Sequence, residues 1–234
     1  GAPCRCHVRD GAAHRVLADL ARELGADLLV VGRRRRFHGP SLGSTADRLI
    51  RRAAVPVLVV DEGTQLPFAR VLLTVDLSPI SAEAAKAGLA LLHHRSPVPP
   101  SVEALFVLDP VERGARVHFT GAQMDRFARE ELHRFLGGVA HDGGVHETIR
   151  SGYPDREIVA EAEAWGADLV LLGTHGRGGF ARLLLGSVAA EVLRRAPCAV
   201  LVVPHATSAD EAAGEGADWV AVSDETPEPA AAGL

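Results

Sequence analysis

The chain repeats itself. Gly25-Ala-Asp-Leu-Leu-Val-Val-Gly32 returns 141 positions later as Gly166-Ala-Asp-Leu-Val-Leu-Leu-Gly173. Leu42-Gly43-Ser44 returns as Leu185-Gly186-Ser187, and Arg51-Arg52-Ala53 with Val57-Leu58-Val59-Val60 returns as Arg194-Arg195-Ala196 with Val200-Leu201-Val202-Val203, at an offset of 143. Self-similarity of this length marks a duplicated structural unit. The change in offset falls between a strand pattern and a helix pattern, in a connection, where gain or loss of residues is tolerated best.

The second copy reads as alternating strands and helices. Arg70–Val75 is a continuous apolar run of the kind buried on both faces of a parallel sheet. Asp76 closes it, and Ser78 with Pro79 supplies an N-cap and a first-turn proline for a helix through about His93. A strand over Val102–Leu108 follows, then a helix whose Met124, Phe127, Phe135 and Leu136 keep helical spacing. Asp142-Gly143-Gly144 turns the chain into a strand near Val145–Arg150, and Gly152 and Pro154 open the next helix. Asp168–Leu172, Ser187–Arg195 and Cys198–Val203 complete the series as strand, helix and strand, ended by Pro204. Such alternation predicts a doubly wound, Rossmann-like parallel α/β sheet of five strands. Its ligand crevice lies beyond the carboxyl ends of the strands at a topological switch point, where Asp76 and Gly173 fall.

The 234 residues, 47% hydrophobic, supply ample apolar material for a core. They divide into an incomplete copy over 1–60, a linker over 61–67, a complete copy over 68–204 and an acidic tail over 205–234. The tail holds seven acids and no Arg or Lys, so the remainder of a chain of net charge -5 lies near +2. Its composition predicts a solvated, mostly disordered extension. A near-neutral body without a basic stripe argues against nucleic acid as partner. No run spans a bilayer and no secretory leader is present, so the expectation is a cytoplasmic protein with no membrane partner. Three cysteines make no disulfide framework, and Cys198 reads as a small buried hydrophobe. Cys4, Cys6 and His7 lack the second ligand pair of a zinc finger, so no metal site is assigned there.

Chemistry concentrates in Gly173-Thr-His-Gly176-Arg-Gly-Gly-Phe-Ala-Arg-Leu-Leu-Leu-Gly186-Ser187, which leaves a buried strand and enters a helix. Gly173 and Gly176 let backbone amides approach an anion, while Gly186 and Ser187 present amides and a hydroxyl at a positively polarised helix N-terminus. Gly, two residues, Gly, nine residues, Gly-Ser resembles the ATP-binding signature of the universal stress protein family. Asp76, Gly152 and the apolar fifth strand after Arg194-Arg195-Ala196-Pro197 resemble the family as well, and the likeness covers nearly all of 68–204.

That resemblance implies strand order 3-2-1-4-5 and two tandem copies, the first truncated. It implies that Asp76 and backbone near Val75 and Val107 contact adenosine, that Gly173, Gly176, Gly186 and Ser187 hold phosphates, and that Val188 adds an amide. The bound group is then ATP, with Mg2+. Asp76 can alternatively be a helix-entry cap, and the glycine loop an ordinary connection. Arg177 and Arg182 can touch the γ-phosphate or be solvated; His175 reads as a solvated loop residue. The implied role is a nucleotide-dependent regulatory or signalling module in stress response, read by an unidentified protein. Fifth strands pair in the family across a homodimer or between tandem copies, and Val55–Val60 facing Cys198–Val203 suits that contact, since apolar edges are otherwise exposed.

Two rivals are a slow magnesium-dependent ATP hydrolase and a nucleotide-free dimerisation module. The first lacks a Gly-Lys-Ser/Thr P-loop, the only lysine, Lys86, lies on a predicted helix, and no catalytic residue is assigned. The intact second signature counts against the other.

Residues 1–60 match only the back half of the unit: a strand near His7–Arg9, a helix from Ala12 to Leu24, then strand, loop, helix and strand. Such a fragment leaves a gap in its own sheet and is not expected to stand alone. The expectation is that the natural protein continues N-terminally by about a hundred residues. Its loop has Arg35 where the second glycine belongs and is two residues shorter, though Ser44 with Asp47 still looks like a helix start. Arg33 to Arg36 could bind phosphate by charge, but a solvated basic loop is the favoured reading.

Overall fold

The computed structural model describes residues 4–33, 35–36, 39–40, 44–93, 98–109, 121–139, 144–174 and 185–204. The first segment holds α1 (Ala13–Glu23), β1 (Leu29–Gly32), a two-stranded antiparallel pair of β2 (Arg35–Arg36) and β3 (Gly39–Pro40), α2 (Ser44–Arg52) and β4 (Val57–Val60). The second holds β5 (Arg70–Val75), α3 (Pro79–His93), β6 (Ser101–Leu108), α4 (Gly121–Gly137), β7 (Val145–Ser151), α5 (Pro154–Trp165), β8 (Leu169–Gly173), α6 (Ser187–Arg195) and β9 (Ala199–Val203).

Seven strands form one sheet in the order β1-β4-β9-β8-β5-β6-β7. Within it β5 to β9 are all parallel, in the expected order 3-2-1-4-5. Two apolar layers flank the sheet. Leu73, Leu171 and Leu201 pack with Leu132 of α4 and Leu89 of α3 on one face. Leu72, Leu105, Val170 and Val200 pack with Ile158, Val192 and Ile50 on the other. Central strands buried on both sides explain the unbroken runs of Val and Leu.

The first segment joins this sheet rather than building its own. β4 lies antiparallel to β9, with Leu58 opposite Leu201, Val57 opposite Val202 and Val59 opposite Val200. Leu58 and Leu201 are equivalent positions in the repeat, so a local two-fold axis runs between them. β1 adds in parallel to β4. On its other side β1 has no neighbour in the sheet among the described residues, so the missing strands of the fragment leave β1 as an edge, while β4 is covered by β9.

The strand expected near His7–Arg9 is absent. Residues 7 to 9 are exposed and irregular, and Arg9 pairs with Glu23 of α1 at 3.2 Å. A strand is stable only as part of a ladder, and no described strand lies beside these residues. Residues 205–234, including the acidic tail, lie outside the described residues.

Candidate functional site

The site begins where β5 stops. Asp76 accepts two hydrogen bonds at Oδ1, from the Ser78 backbone N–H at 2.9 Å and the Ser78 hydroxyl at 2.7 Å. Ser78 Oγ in turn accepts from the N–H of Ser81 at 3.1 Å, the N-cap bond expected of Ser78 ahead of Pro79. The Ser81 hydroxyl accepts from the Asp76 N–H at 3.3 Å. Between them Leu77 holds φ at 65°, a left-handed conformation costly for a branched residue. Asp76 therefore takes part in helix entry, and its half-buried carboxyl group is held at the carboxyl end of β5 by a network of short bonds.

β5 sits between β8 and β6, so the ends of all three strands are neighbours. Val75 is the last residue of β5 and pairs with Phe106, which puts Val107 one step further along β6. Gly173 ends β8, opposite Val203. Past it the N–H of Thr174 donates to Val203 O at 3.1 Å, and Thr174 O accepts from the N–H of Gly186 at 2.9 Å. That last bond clasps the two ends of the glycine-rich connection. His175, Gly176, Arg177 and Arg182 lie within it, outside the described residues.

Gly186 is the N-cap of α6, with φ -56° and ψ 149°. A Cβ there would come within 3.2 Å of Thr174 O, which crowds the turn and the space before the helix. With no side chain at Gly186, the amides of Ser187 and Val188 are left at the helix start without a side-chain cap. Ser187 is exposed and Val188 half-buried. Gly152, directly after β7, holds φ 158°, and a Cβ would strike Glu157 Oε1 at 2.4 Å. Chemically the arrangement offers an acceptor carboxylate, two backbone edges and a polarised helix terminus, which suits a ligand with a donor-bearing polar part and an anionic part. The structure brings Val75, Asp76, Val107, Gly173, Gly186, Ser187 and Val188 to one edge of the sheet.

Sequence reasoning missed two buried charged groups. Arg33 does not belong to a solvated loop: its side chain is 1% exposed. Nε and Nη2 donate to the two oxygens of Asp61 at 3.0 and 2.6 Å, Nη1 donates to Leu193 O at 2.9 Å, and Nη2 reaches Ala196 O at 2.9 Å and Cys198 O at 3.3 Å. Nothing local distinguishes Arg33 from its neighbours, because its partners are remote in sequence. Arg34 lies outside the described residues. Glu103, by contrast, stood in view as the one acid in the run Val102–Leu108. It is buried, its Oε1 has no hydrogen-bond partner among the described residues, and His146 Nδ1 lies 3.9 Å from Oε2. Burial raises its pKa above the ordinary carboxyl value, with the Glu161 carboxylate adding to the rise against the Thr148 hydroxyl and His146.

A concavity of about 610 Å³ opens at the opposite edge, lined by Arg33, Asp61, Gln65, Arg70, Asp168 and Cys198 among others. Its cations are already engaged, Arg33 as above and Arg70 through Nη1 to Trp165 O at 3.2 Å, so the carboxyl edge of β5, β6 and β8 is the better candidate.

The model of the universal stress protein family matches residues 1–61 and 67–204. The chain belongs to the universal stress protein family. A universal stress protein of Mycolicibacterium smegmatis is 31% identical over 211 residues, covering 87% of this chain and 69% of that protein. One from Methanocaldococcus jannaschii is 33% identical over 151 residues, covering 62% of this chain and 86% of its own length. One from Mycobacterium tuberculosis is 32% identical over 168 residues, and there the match spans 55% of the relative. The chain thus spans between about half and most of the universal stress proteins it matches. A universal stress protein structure from Archaeoglobus fulgidus superimposes with a TM-score of 0.59 at 22% identity, covering 82% of this chain and 66% of that one, which supports the shared fold. Among the described residues no helix is long and apolar enough to cross a membrane.

Proposed function

We propose that this universal stress protein is a cytoplasmic regulatory module that binds ATP, with Mg2+, at the carboxyl edge of β5, β6 and β8. One observation carries the reading. Asp76 and the N-terminus of α6 flank the end of β8 at the switch point between β5 and β8, whose outgoing connections lead in opposite directions, to β6 and to β9. In this reading Asp76 and the backbone at Val75 and Val107 receive the adenosine part. Gly173, Gly186, Ser187 and Val188 receive the phosphates, joined by Gly176 and Arg177 from the connection. The crowding that a Cβ at Gly186 would cause supports a turn kept open for an anion.

Occupancy alters loop order or association, and a protein partner reads that change. The contact that a fifth strand would make with a second copy is met within this chain by β4 on β9, which favours a pseudo-dimer of the two segments over a homodimer through that edge.

Calorimetric titration of ATP with Mg2+ tests the proposal, using the parent and a Gly176→Asp, Gly186→Asp double variant checked for folding by circular dichroism. Micromolar binding by the parent, lost in the folded variant, supports the phosphate cradle. No binding by the parent transfers the assignment to a nucleotide-free association module.

A further inference from the structure

Arg33 holds the far end of the helix whose beginning forms the candidate phosphate cradle. The last carbonyls of an α-helix have no partner within the helix, and α6 has a particular difficulty. Leu193 O would ordinarily accept from the N–H four residues on, but that residue is Pro197, which has none. Leu193 is fully buried, so water does not serve that carbonyl. Arg33 Nη1 supplies the missing donor at 2.9 Å, and Nη2 binds the C-cap carbonyl of Ala196 at 2.9 Å. The guanidinium is aimed by the two-oxygen contact with Asp61 at the end of β4. Every one of these groups comes from outside α6 except the two carbonyls it receives.

We infer that Arg33 is a positioning residue for the anion cradle, acting through α6, and that the first segment thereby sets the affinity of the second. The inference rests on the nucleotide-binding reading for its ligand, but not for its mechanics. α6 is nine residues long, so its start lies about 9 Å from Leu193 and about 13 Å from Ala196 along the axis. One effect spans that distance. A short helix pinned at its C-terminus by bonds to a buried, ion-paired guanidinium has its axis set, which aims the amides of Ser187 and Val188. By the repeat, Arg33 stands in the position of Thr174, whose carbonyl closes the glycine-rich connection. The same position therefore serves opposite ends of α6 in the two segments.

The test uses the full chain with Arg33→Gln, Arg33→Lys and Asp61→Asn, each measured well below its unfolding midpoint. Two readouts are taken: amide hydrogen exchange without nucleotide, and calorimetric affinity for ATP with Mg2+. The expected result for folded Arg33→Gln is faster exchange of the hydrogen-bonded α6 amides from Ala190 onward, with β5 and β6 unchanged, and an affinity about tenfold weaker. Arg33→Lys, which restores the cation, is expected to recover part of both. A folded Arg33→Gln with parental exchange in α6 and parental affinity overturns the inference. If Arg33→Gln does not fold, Asp61→Asn, which keeps the guanidinium but loosens its aim, decides the matter by the same two readouts. If the parent binds no ATP, the functional proposal fails, while the exchange pattern alone still upholds or overturns the role of Arg33.

Discussion

Asp76 accepts both the backbone N–H and the hydroxyl of Ser78 at a single carboxylate oxygen, 2.9 and 2.7 Å away. The carboxylate thus orders the entry to α3 while lying at the carboxyl edge of the sheet. Asp76→Ala removes the acceptor of both bonds, and the expected loss is about 1 kcal/mol of unfolding free energy. Urea denaturation checks this, and titration of adenosine separates loss of the turn from loss of binding. Asp76→Asn, which keeps an acceptor oxygen, is expected to retain most of the stability.

Asp61 is the counter-charge of a guanidinium that water barely reaches, with side-chain exposures of 12% and 1%. Removing one partner of a buried pair leaves the other charge uncompensated. Asp61→Ala is expected to lower the unfolding free energy by about 3–5 kcal/mol. Denaturant unfolding followed by circular dichroism reads the change, and a parental midpoint would contradict the buried pairing.

Glu103 makes stability depend on pH in a direction opposite to that of a salt-bridged acid. Its folded pKa is raised, first by burial and then by the neighbouring Glu161 carboxylate. The folded state therefore holds a proton that the unfolded state releases. Stability from this group is fully present below the ordinary carboxyl value of 4.5 and declines as pH rises above it toward the higher folded value. Glu103→Gln keeps the shape without the charge, so it is expected to be the more stable protein at pH 7 and to flatten that decline. Urea midpoints from pH 5 to pH 8 for parent and variant are the measurement.

Gly88 lets α3 approach β8. A Cβ at that position would fall 2.4 Å from Leu171 Cδ1, inside a fully packed layer. Gly88→Ala raises helix propensity by about 1 kcal/mol, yet overpacking costs about 1–3 kcal/mol, and the crowded contact decides the sign. A lowered thermal midpoint is expected, and a raised one would show that Leu171 yields freely.

Cys198 is half-buried, and burial pushes its thiol up to about 12, while Cys4 and Cys6 are exposed. The thiolate is the reactive form. A thiol reagent at neutral pH is expected to modify Cys4 and Cys6 in the native protein and to reach Cys198 only in denaturant. Mass spectrometry of the peptides identifies the sites.

What the sequence determined by itself was everything local or periodic. The runs at Arg70–Val75 and Cys198–Val203 identify strands because burial on both faces requires continuous apolar side chains. Ser78-Pro79 marks a helix entry because the cap and the fixed φ act within one turn, and the Gly32/Gly173 repeat marks a duplicated unit. Asp76, Gly173 and Gly186 were legible as a candidate site because strand ends and helix starts are legible, and doubly wound sheets favour ligands there. The tertiary structure decided what depends on neighbours far along the chain. Arg33 is a buried anchor and not a solvated arginine because Leu193 and Ala196, 160 and 163 positions away, present carbonyls that lack donors. His7–Arg9 is no strand because no ladder stands beside it, and β4 is no orphan because β9 offers an antiparallel edge. Burying a charge or pairing a strand is a property of two partners, and a single stretch of sequence contains only one of them.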